Sequence, residues 1–277
     1  MISANSSDFK KRAVMFAILM MVSVIIVIPY IWMLSNSFKT TQETLTDPMH
    51  IIPLKPTLDG YIKVLTKSPF FKWLWNSCFV TGINTLVILF TSSITGYVFA
   101  RFKFKGRNFL FAMLMFTMMV PAQVTMITTF IIIDGTGLYN SVWALIIPSF
   151  VNVFGIYLCK QYCEEIPADL IESARIDGAG NFRIYKDIVL PQIRPALGAL
   201  AIFTFMEYWN DYLHPLIYLS STDNMTLPLA LSYFSTQHST DLSATMAASA
   251  LIMIPAAIVF IIFQKQFIKG LSMTGMK

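Results

Sequence analysis

A short run of ionisable and aromatic residues interrupts an otherwise apolar stretch of the chain. Residues 207–215 read E-Y-W-N-D-Y-L-H-P and lie inside the apolar stretch 196–219. Glu207, Asp211 and His214 are spaced by four and three residues, which places them on one face of a helix. Aromatic rings beside hydrogen-bonding groups are what a sugar site needs. The candidate residues for a substrate path are Glu207, Tyr208, Asn210 and Asp211.

The same residues support two other interpretations. Asn210 and Asp211 are typical of side chains that tie helices together or cap a helix break, here at Pro215. Ionisable groups inside a membrane span also occur in proton relays, so a proton-coupled secondary transporter using Glu207, Asp211 and His214 is a second hypothesis. Many such transporters contain inverted repeats, and none is apparent in the hydropathy of this chain.

The elements that must position this cluster are predicted to be membrane-spanning helices. Of the 277 residues, 56% are hydrophobic and 13% are charged, against about 25% charged in soluble domains. Apolar runs of about 20 residues can cross a bilayer. An all-α integral membrane protein with six transmembrane helices is therefore predicted, with spans at Ala13–Leu34, Asn76–Ala100, Asn108–Ile133, Leu138–Cys159, Ala196–Leu219 and Leu242–Phe263.

The distribution of basic residues predicts the orientation of these spans. Most of the 20 Lys and Arg residues lie in the two termini and in the second-to-third and fourth-to-fifth connections. The positive-inside rule then places both termini in the cytoplasm. The predicted protein crosses the plasma membrane of a prokaryotic cell several times. The predicted organisation is a cytoplasmic N-terminus at 1–12 and a single transmembrane domain at 13–277, with external loops at 35–75 and 220–241. The tryptophans predicted at the outer interface are Trp32, Trp73, Trp75 and Trp143.

Between the fourth and fifth spans lies a polar segment, residues 163–191, which is predicted to form two short helices around a glycine turn. Pro167 suits a first helical position, and Gly178 suits a left-handed helix end. Asn181 is expected to cap the second helix, and Pro191 is expected to stop it. The apolar faces of the two helices comprise Leu170, Ile171 and Ala174, and then Phe182, Tyr185, Ile188 and Val189.

This segment resembles the "EAA" loop of the membrane subunits of binding-protein-dependent ABC importers. The family pattern is Glu-Ala-Ala, then Asp-Gly-Ala, then Ile-x-Leu-Pro about ten residues later. The matching residues are Glu172-Ser173-Ala174, Asp177-Gly178-Ala179 and Ile188-Val189-Leu190-Pro191. Ser173 departs from the usual Ala, although both are small. Weaker resemblances to the family extend from Ser37 to Leu271, and W-N-D-x-L-x-P-L in the fifth span recurs in its carbohydrate importers.

The resemblance implies a permease subunit of a carbohydrate importer of the maltose or multiple-sugar type, driven by alternating access. In the family the loop, here residues 160–195, forms a coupling helix that docks on a cytoplasmic ATPase. The residues carried over for ATPase coupling are Glu172, Ser173, Ala174, Asp177, Gly178, Ala179, Leu190 and Pro191. The implied partners are a second permease subunit, an ABC ATPase dimer, an extracytoplasmic sugar-binding protein and membrane lipid. A phosphorylated polyol is an alternative substrate within the wider family.

Several functions are disfavoured by what the sequence lacks. No G-x-x-x-x-G-K-[ST] motif is present, so Mg-ATP is expected in the partner ATPase and no cofactor or metal in this chain. The sequence contains no H-E-x-x-H motif and no paired intramembrane Asp motif, either of which would indicate an enzyme. A non-catalytic transport subunit is therefore predicted. The net charge of +5 is spread over membrane-flanking segments, which disfavours nucleic-acid binding. Cys78, Cys159 and Cys163 show neither disulfide nor zinc spacing and are expected to be ordinary buried or interfacial thiols.

Overall fold

A computed structural model describes residues 6–236 and 241–274, with side chains for residues 11–234 and 241–264. Within these residues all regular secondary structure is helical, which confirms the predicted all-α class. The helices are α1 Ser6–Ser37, α2 Thr41–Thr46, α3 Asp59–Lys67, α4 Phe70–Arg101, α5 Arg107–Thr117, α6 Ala122–Gly135, α7 Trp143–Ile146, α8 Val153–Glu165, α9 Ala168–Ile176, α10 Asn181–Ile184, α11 Leu190–Gln192, α12 Arg194–Trp209, α13 Leu213–Tyr218, α14 Leu227–Thr236 and α15 Leu242–Thr274. Two 3₁₀ segments, Ile147–Phe150 and Thr222–Asn224, and one π turn, Tyr185–Val189, complete the set.

Four of the described stretches are helical, long and apolar enough to cross a membrane. They are Lys11–Ser37, Phe70–Arg101, Trp143–Glu165 and Leu242–Gln264. Two further pairs of helices pass the same test only as bent pairs, namely α5 with α6 at 98° and residues 181–192 with α12 at 75°. The described part of the chain therefore has four to six candidate spans.

Helix breaks occur inside three of the six predicted spans. The third predicted span turns between α5 and α6, where Pro121 precedes the first residue of α6. The fourth tightens into the 3₁₀ turn Ile147–Phe150 before α8 begins, and Pro148 lies in that turn. The fifth separates into α12 and α13 at residues 210–212, one turn before Pro215 and not at Pro215 itself. Proline and polar caps at these places account for all three breaks.

The structure divides into two compact units, formed by the described residues of 1–70 with 231–254 and of 71–230 with 255–277. In the second unit, α4 and α8 pack closely because small residues lie where they meet. A Cβ added at Gly96 would lie 2.7 Å from the Cβ of Cys159. Cys159 and Cys163 are fully buried, as expected for ordinary thiols. Small residues thus allow the two helices to approach closely.

One tryptophan predicted at the outer interface has a different role. Trp73 is fully buried, and its Nε1 donates a hydrogen bond of 2.7 Å to the carbonyl of Thr222. A buried indole N–H needs such a partner, so Trp73 fastens the start of α4 to the segment after α13. Asn140 anchors the same segment at a second point, because its Oδ1 accepts hydrogen bonds from the N–H groups of Ser220 and Ser221.

In the first unit, the predicted external loop 35–75 is ordered by buried polar contacts. Lys39 is fully buried, and its Nζ donates to the carbonyl of Asp47 at 3.1 Å. The carbonyl of Lys39 accepts from Ser243 Oγ at 2.8 Å. Asp241, immediately before α15, pairs with Lys63 at 2.5 Å and accepts a hydrogen bond from Thr41 Oγ1 at 3.0 Å. The loop and the start of α15 are therefore one polar network.

Parts of three predicted segments lie outside the described residues. They are residues 1–5 of the predicted N-terminus, residues 237–240 of the predicted external loop 220–241, and residues 275–277 at the C-terminus. The small residues at the start of α15 do fall within the described part of the chain, and all of them are buried: Ala244, Ala247, Ala248 and Ala250.

The Asp241 network predicts how stability responds to acid. Burial alone raises the pKa of Asp241, but hydrogen bonds from Lys63, the Ala244 N–H and Thr41 outweigh it and lower the pKa below 3.8. Because the folded-state pKa is depressed, the stabilisation is present above pH 3.8 and is lost as the pH falls through the folded value. At neutral pH, Asp241→Ala should lower the free energy of unfolding by about 1–3 kcal/mol. Thermal unfolding of the detergent-purified protein measures this.

Asp223→Ala is the matched control, because Asp223 forms an exposed ion pair with Lys72. Its loss should cost at most about 1 kcal/mol. Moving from neutral pH to about pH 3 should destabilise the wild type more than Asp241→Ala. Equal sensitivity of both proteins to acid would contradict the assignment.

Candidate coupling loop and translocation cavity

The first helix of the polar segment ends in a glycine turn that fixes the direction of the loop. Gly178 has φ +81°, as predicted. Its N–H donates to the carbonyl of Arg175 at 3.0 Å, and the N–H of Ala179 donates to the carbonyl of Ala174 at 2.9 Å. These two bonds form a Schellman motif, in which only a residue tolerant of the left-handed region fits. A Cβ at Gly178 would meet nothing within 4 Å, so the requirement is set by the backbone.

Three other predictions for this segment need correction. Pro167 precedes the first helical residue as the N-cap of α9. Asn181 is the first residue of α10 and its cap is Gly180, without a side-chain hydrogen bond. Pro191 lies inside the short helix α11, and the chain turns only at Ile193. Proline is tolerated there because the first N–H groups of a helical turn have no partner within it.

The loop is fastened to the helices beneath it by Tyr185 and Arg101. Tyr185 lies in the π turn, is buried, and shares a hydrogen bond of 2.7 Å with the hydroxyl of Ser93. The guanidinium of Arg101 donates to the carbonyls of Cys163 and Ile166 at the end of α8. It satisfies carbonyls that a helix C-terminus leaves without an internal partner.

The coupling residues divide into an outer and an inner group. Glu172, Ser173, Asp177 and Gly178 are exposed. Ala174, Ala179 and Leu190 pack against the core below the loop, and Pro191 is half-buried. Two apolar side chains join the outer group: Ile176 is 86% exposed and Phe182 is 73% exposed. Helical periodicity placed Phe182 on the same face as the buried Tyr185 and did not single out Ile176.

A cavity of about 550 Å³ lies where the three broken spans meet. Glu207, Tyr208 and Asp211 line it, as does His214. Asn210 is not among its lining residues. The Asn210 amide instead donates to the carbonyl of Met206 at 2.8 Å and ends α12. Three of the four candidate path residues are thus brought together, while Asn210 serves the helix break, as the structural interpretation predicted.

Asp211 caps a helix and also lies in the cavity wall. Its Oδ1 accepts a hydrogen bond from the N–H of His214 at 3.2 Å and so caps the start of α13. Its Oδ2 lies 3.0 Å from Nδ1 of His214. Both residues also line the cavity, so the Asp211 carboxylate that caps α13 is also part of the cavity wall.

The opposite walls of the cavity were not predicted as a site. They include the hydroxyl-bearing residues Thr125 and Thr129 of α6, Ser149 of the 3₁₀ turn, and Asn152 with Phe154 at the start of α8. Asn152 caps α8, because its Oδ1 accepts from the N–H of Gly155 at 2.7 Å. The signal that could have found these walls was the pair of prolines, Pro121 and Pro148, at the breaks. Trp209, by contrast, is buried beside Phe205 and faces away from the lining.

The electrostatic character of the cavity is acidic. In the described part of the chain its lining contains two carboxylates and one histidine, and neither Lys nor Arg. Aromatic surface comes from Phe154, Tyr208 and Tyr218. Such a lining offers hydrogen-bond acceptors, hydroxyls and ring faces.

Comparisons with known proteins agree with this architecture. Residues 92–273 match the family described as "Binding-protein-dependent transport system inner membrane component". The arabinooligosaccharides transport system permease protein AraQ of Bacillus subtilis (strain 168) is 35% identical over 261 residues, covering 93% of each chain. From the same organism, the polygalacturonan/rhamnogalacturonan transport system permease protein YtcP is 32% identical over 277 residues, covering 95% of this chain and 96% of the relative.

A solved structure shows the same fold. A chain of a bacterial ABC transporter involved in the import of the acidic polysaccharide alginate superposes with a TM-score of 0.84 at 23% identity, covering 96% of this chain and 100% of that chain. Family membership favours the importer hypothesis over a proton-coupled secondary transporter. The chain therefore belongs to the inner membrane components of binding-protein-dependent transport systems and is a multi-pass, non-catalytic permease subunit of an ABC importer.

Proposed function

We propose that this permease subunit imports a neutral sugar or oligosaccharide through six spans, with both termini in the cytoplasm. Residues 1–12 form the cytoplasmic N-terminus of a single domain at 13–277, and residues 35–75 and 220–241 are external loops. Residues 160–195 form the coupling loop between spans four and five. The positive-inside distribution of Lys and Arg supports this orientation.

The cavity at the broken helices carries the substrate proposal. Its threonines, carboxylates and aromatic rings suit sugar hydroxyls and ring faces. The relatives named for sugars include importers of arabinooligosaccharides and of polygalacturonan. A lining with Glu207 and Asp211 and no described Lys or Arg favours an uncharged sugar over a uronate polymer. The same charge disfavours a phosphorylated polyol.

The coupling loop carries the proposal for energy transfer. Ile176 and Phe182 are exposed apolar side chains in the same loop as the exposed carboxylate of Glu172. Exposed apolar groups rimmed by polar ones are typical of protein interfaces. In the proposed complex these side chains dock on an ABC ATPase dimer, Ala174 allows close approach, and the Gly178 turn sets the angle of the loop. The ATPase holds Mg-ATP, and this chain holds no cofactor.

The remaining partners follow from the family. A second permease subunit completes the pathway, and an extracytoplasmic sugar-binding protein delivers the substrate to the external loops. A binding protein of this kind is part of a solved alginate importer complex that shares the fold, with a TM-score of 0.67 at 14% identity. Alternating access then exposes the cavity to one side of the membrane at a time.

Assembly is the first expected outcome to test. Affinity purification of the tagged protein from its native host in mild detergent should recover a second permease and an ATPase, with ATP hydrolysis in the eluate. Glu172→Lys should reduce the recovered ATPase by at least about tenfold, since losing a charged contact in an interface is worth about 1.5–3 kcal/mol. Glu165→Lys, at the end of α8, is the matched control. A wild-type protein that purifies alone would count against the proposal.

The second expected outcome concerns the Gly178 turn. Gly178→Val forces a β-branched residue to φ +81°, which costs about 1–3 kcal/mol of backbone strain. Uptake should fall to background while the protein remains inserted in the membrane. Radiolabelled sugar uptake by cells, together with immunoblotting of membranes, measures both quantities.

Two matched variants distinguish the effect of the left-handed turn from the effect of added side-chain volume. Gly180 has φ −70°, and a Cβ there would meet nothing within 4 Å, so Gly180→Val should retain uptake. Gly178→Asn should retain most of it, because Asn tolerates the left-handed region. Normal uptake by Gly178→Val, or equal loss in both valine variants, would refute the role of the turn.

The third expected outcome concerns charge selectivity at Glu207. Glu207→Gln removes a negative charge from the cavity and should raise the KM for a neutral oligosaccharide by up to about tenfold, since one charge-assisted hydrogen bond is weakened. Inhibition of this uptake by a uronate oligosaccharide should become stronger, because repulsion is relieved. Asp134→Asn is the control, as Asp134 lies on α6 outside the cavity lining. An unchanged ratio of inhibition by uronate and neutral competitors would contradict the proposal.

A further inference from the structure

A second set of cavities lies in the same unit and shares one lining residue, Met118, with the translocation cavity. One of about 550 Å³ is lined by four basic residues and one acid, together with small and apolar groups: Ala100, Arg101, Phe102, Lys103, Arg107, Ala168, Ile171, Glu172 and Arg175. It lies between the end of α4, the connection to α5, and α9. We call it the basic pocket.

The basic charges in this pocket are largely uncompensated within the described residues. Lys103, Arg107 and Arg175 form no ion pair with a described carboxylate. Arg107 makes only long hydrogen bonds, 3.3 Å to Asn108 Oδ1 and 3.5 Å to the carbonyl of Phe102. Arg101 uses one guanidinium nitrogen on two carbonyls, but its Nε is buried without a partner. A cluster of positive groups held this way favours an anion.

An apolar groove begins where the basic pocket ends. Its volume is about 650 Å³, and Arg107 lines both cavities. The rest of the groove is formed mainly by Phe99 and by one side of α5 with the residues after it: Asn108, Phe111, Ala112, Met115, Phe116, Met118 and Met119. Lys160 lies at its edge, 4.7 Å from the centre of the Phe111 ring and paired with Glu164.

The two cavities together define the chemistry of one occupant. A basic pocket suits a phosphate, and a contiguous groove of phenylalanine and methionine suits a hydrocarbon chain. We propose that this face is a specific site for an anionic phospholipid, with its phosphate among Arg107, Lys103 and Arg175 and one acyl chain along Phe111 and Ala112. The proposal goes beyond sugar transport and depends only on insertion in a membrane.

The site has a consequence for coupling because Glu172 and Arg175 of α9 line the basic pocket. A bound phosphate would neutralise the positive groups beside Glu172 and leave its carboxylate available to a partner protein. The lipid headgroup therefore acts beside the coupling loop.

The test titrates the purified transporter, in phosphatidylcholine nanodiscs, with phosphatidylglycerol and counts bound lipid by native mass spectrometry. Each Lys or Arg near a lipid surface contributes about fivefold in affinity. The double variant Lys103→Gln with Arg107→Gln should therefore bind phosphatidylglycerol about thirtyfold more weakly. Lys105→Gln is the matched control, because Lys105 lies in the same connection but lines neither cavity.

A second pair of variants tests the groove. Ala112→Trp fills it and should weaken binding, whereas Met113→Trp, which lies outside the lining, should not. Equal affinity in wild type and double variant would overturn the site. So would displacement of the lipid by inorganic phosphate with no effect of Ala112→Trp, which would indicate a phosphate site alone. Loss of the second permease in Ala112→Trp with unchanged lipid binding would assign the groove to that protein.

Discussion

Backbone polar groups inside a membrane must find partners, and this requirement shapes the second unit. An unpaired group costs several kcal/mol in hydrocarbon, so irregular backbone is tolerated only against protein or a water-filled cavity. Around the break in the fourth span, the carbonyl of Leu145 accepts from Asn84 Nδ2 at 3.1 Å and from Ser149 Oγ at 3.0 Å. At the break in the fifth, Met206 accepts from the Asn210 amide. Of these side chains, Ser149 also lines the cavity between the breaks.

The same breaks link the cavity to the coupling loop. The π turn that holds Tyr185 runs through α11 into α12, and α12 ends at the break beside Asp211. At 1.5 Å per residue, the 16 residues of α12 cover about 24 Å. Ala196, Leu200 and Thr204 are buried along its length. α12 thus lies between the 75° bend at Ile193 and the cavity wall at Asp211. In the proposed complex, this well-packed helix would carry a displacement of the loop to the cavity.

How much could be predicted from sequence depended on the range of the interaction. The helical class and the Gly178 turn were predictable, because hydropathy and glycine geometry are local properties. The cap at Asn181 was wrong, because the helix begins there and Gly180 takes the cap position. The stop at Pro191 was wrong, because the helix continues through the π turn to Gln192. The buried Trp73 and the carbonyl contacts of Arg101 depend on partners about 149 and 65 residues away. Thr125, Ser149 and Asn152 became part of the site only through the meeting of three separate breaks.

The positions of the charged residues follow from the same requirement that polar groups in a membrane find solvation or a partner. Carboxylates inside the spans occur where a cavity can solvate them, as at Glu207 and Asp211. Guanidinium and ammonium groups occur at the opposite kind of boundary, beside α9 and the start of α5, where headgroups or partners can meet them. The carboxylates of the cavity and the basic groups beside α9 are thus separated within the second unit. Under the proposed function, the substrate site and the partner-binding loop use different charged groups, so mutations in one are expected to leave the other unchanged.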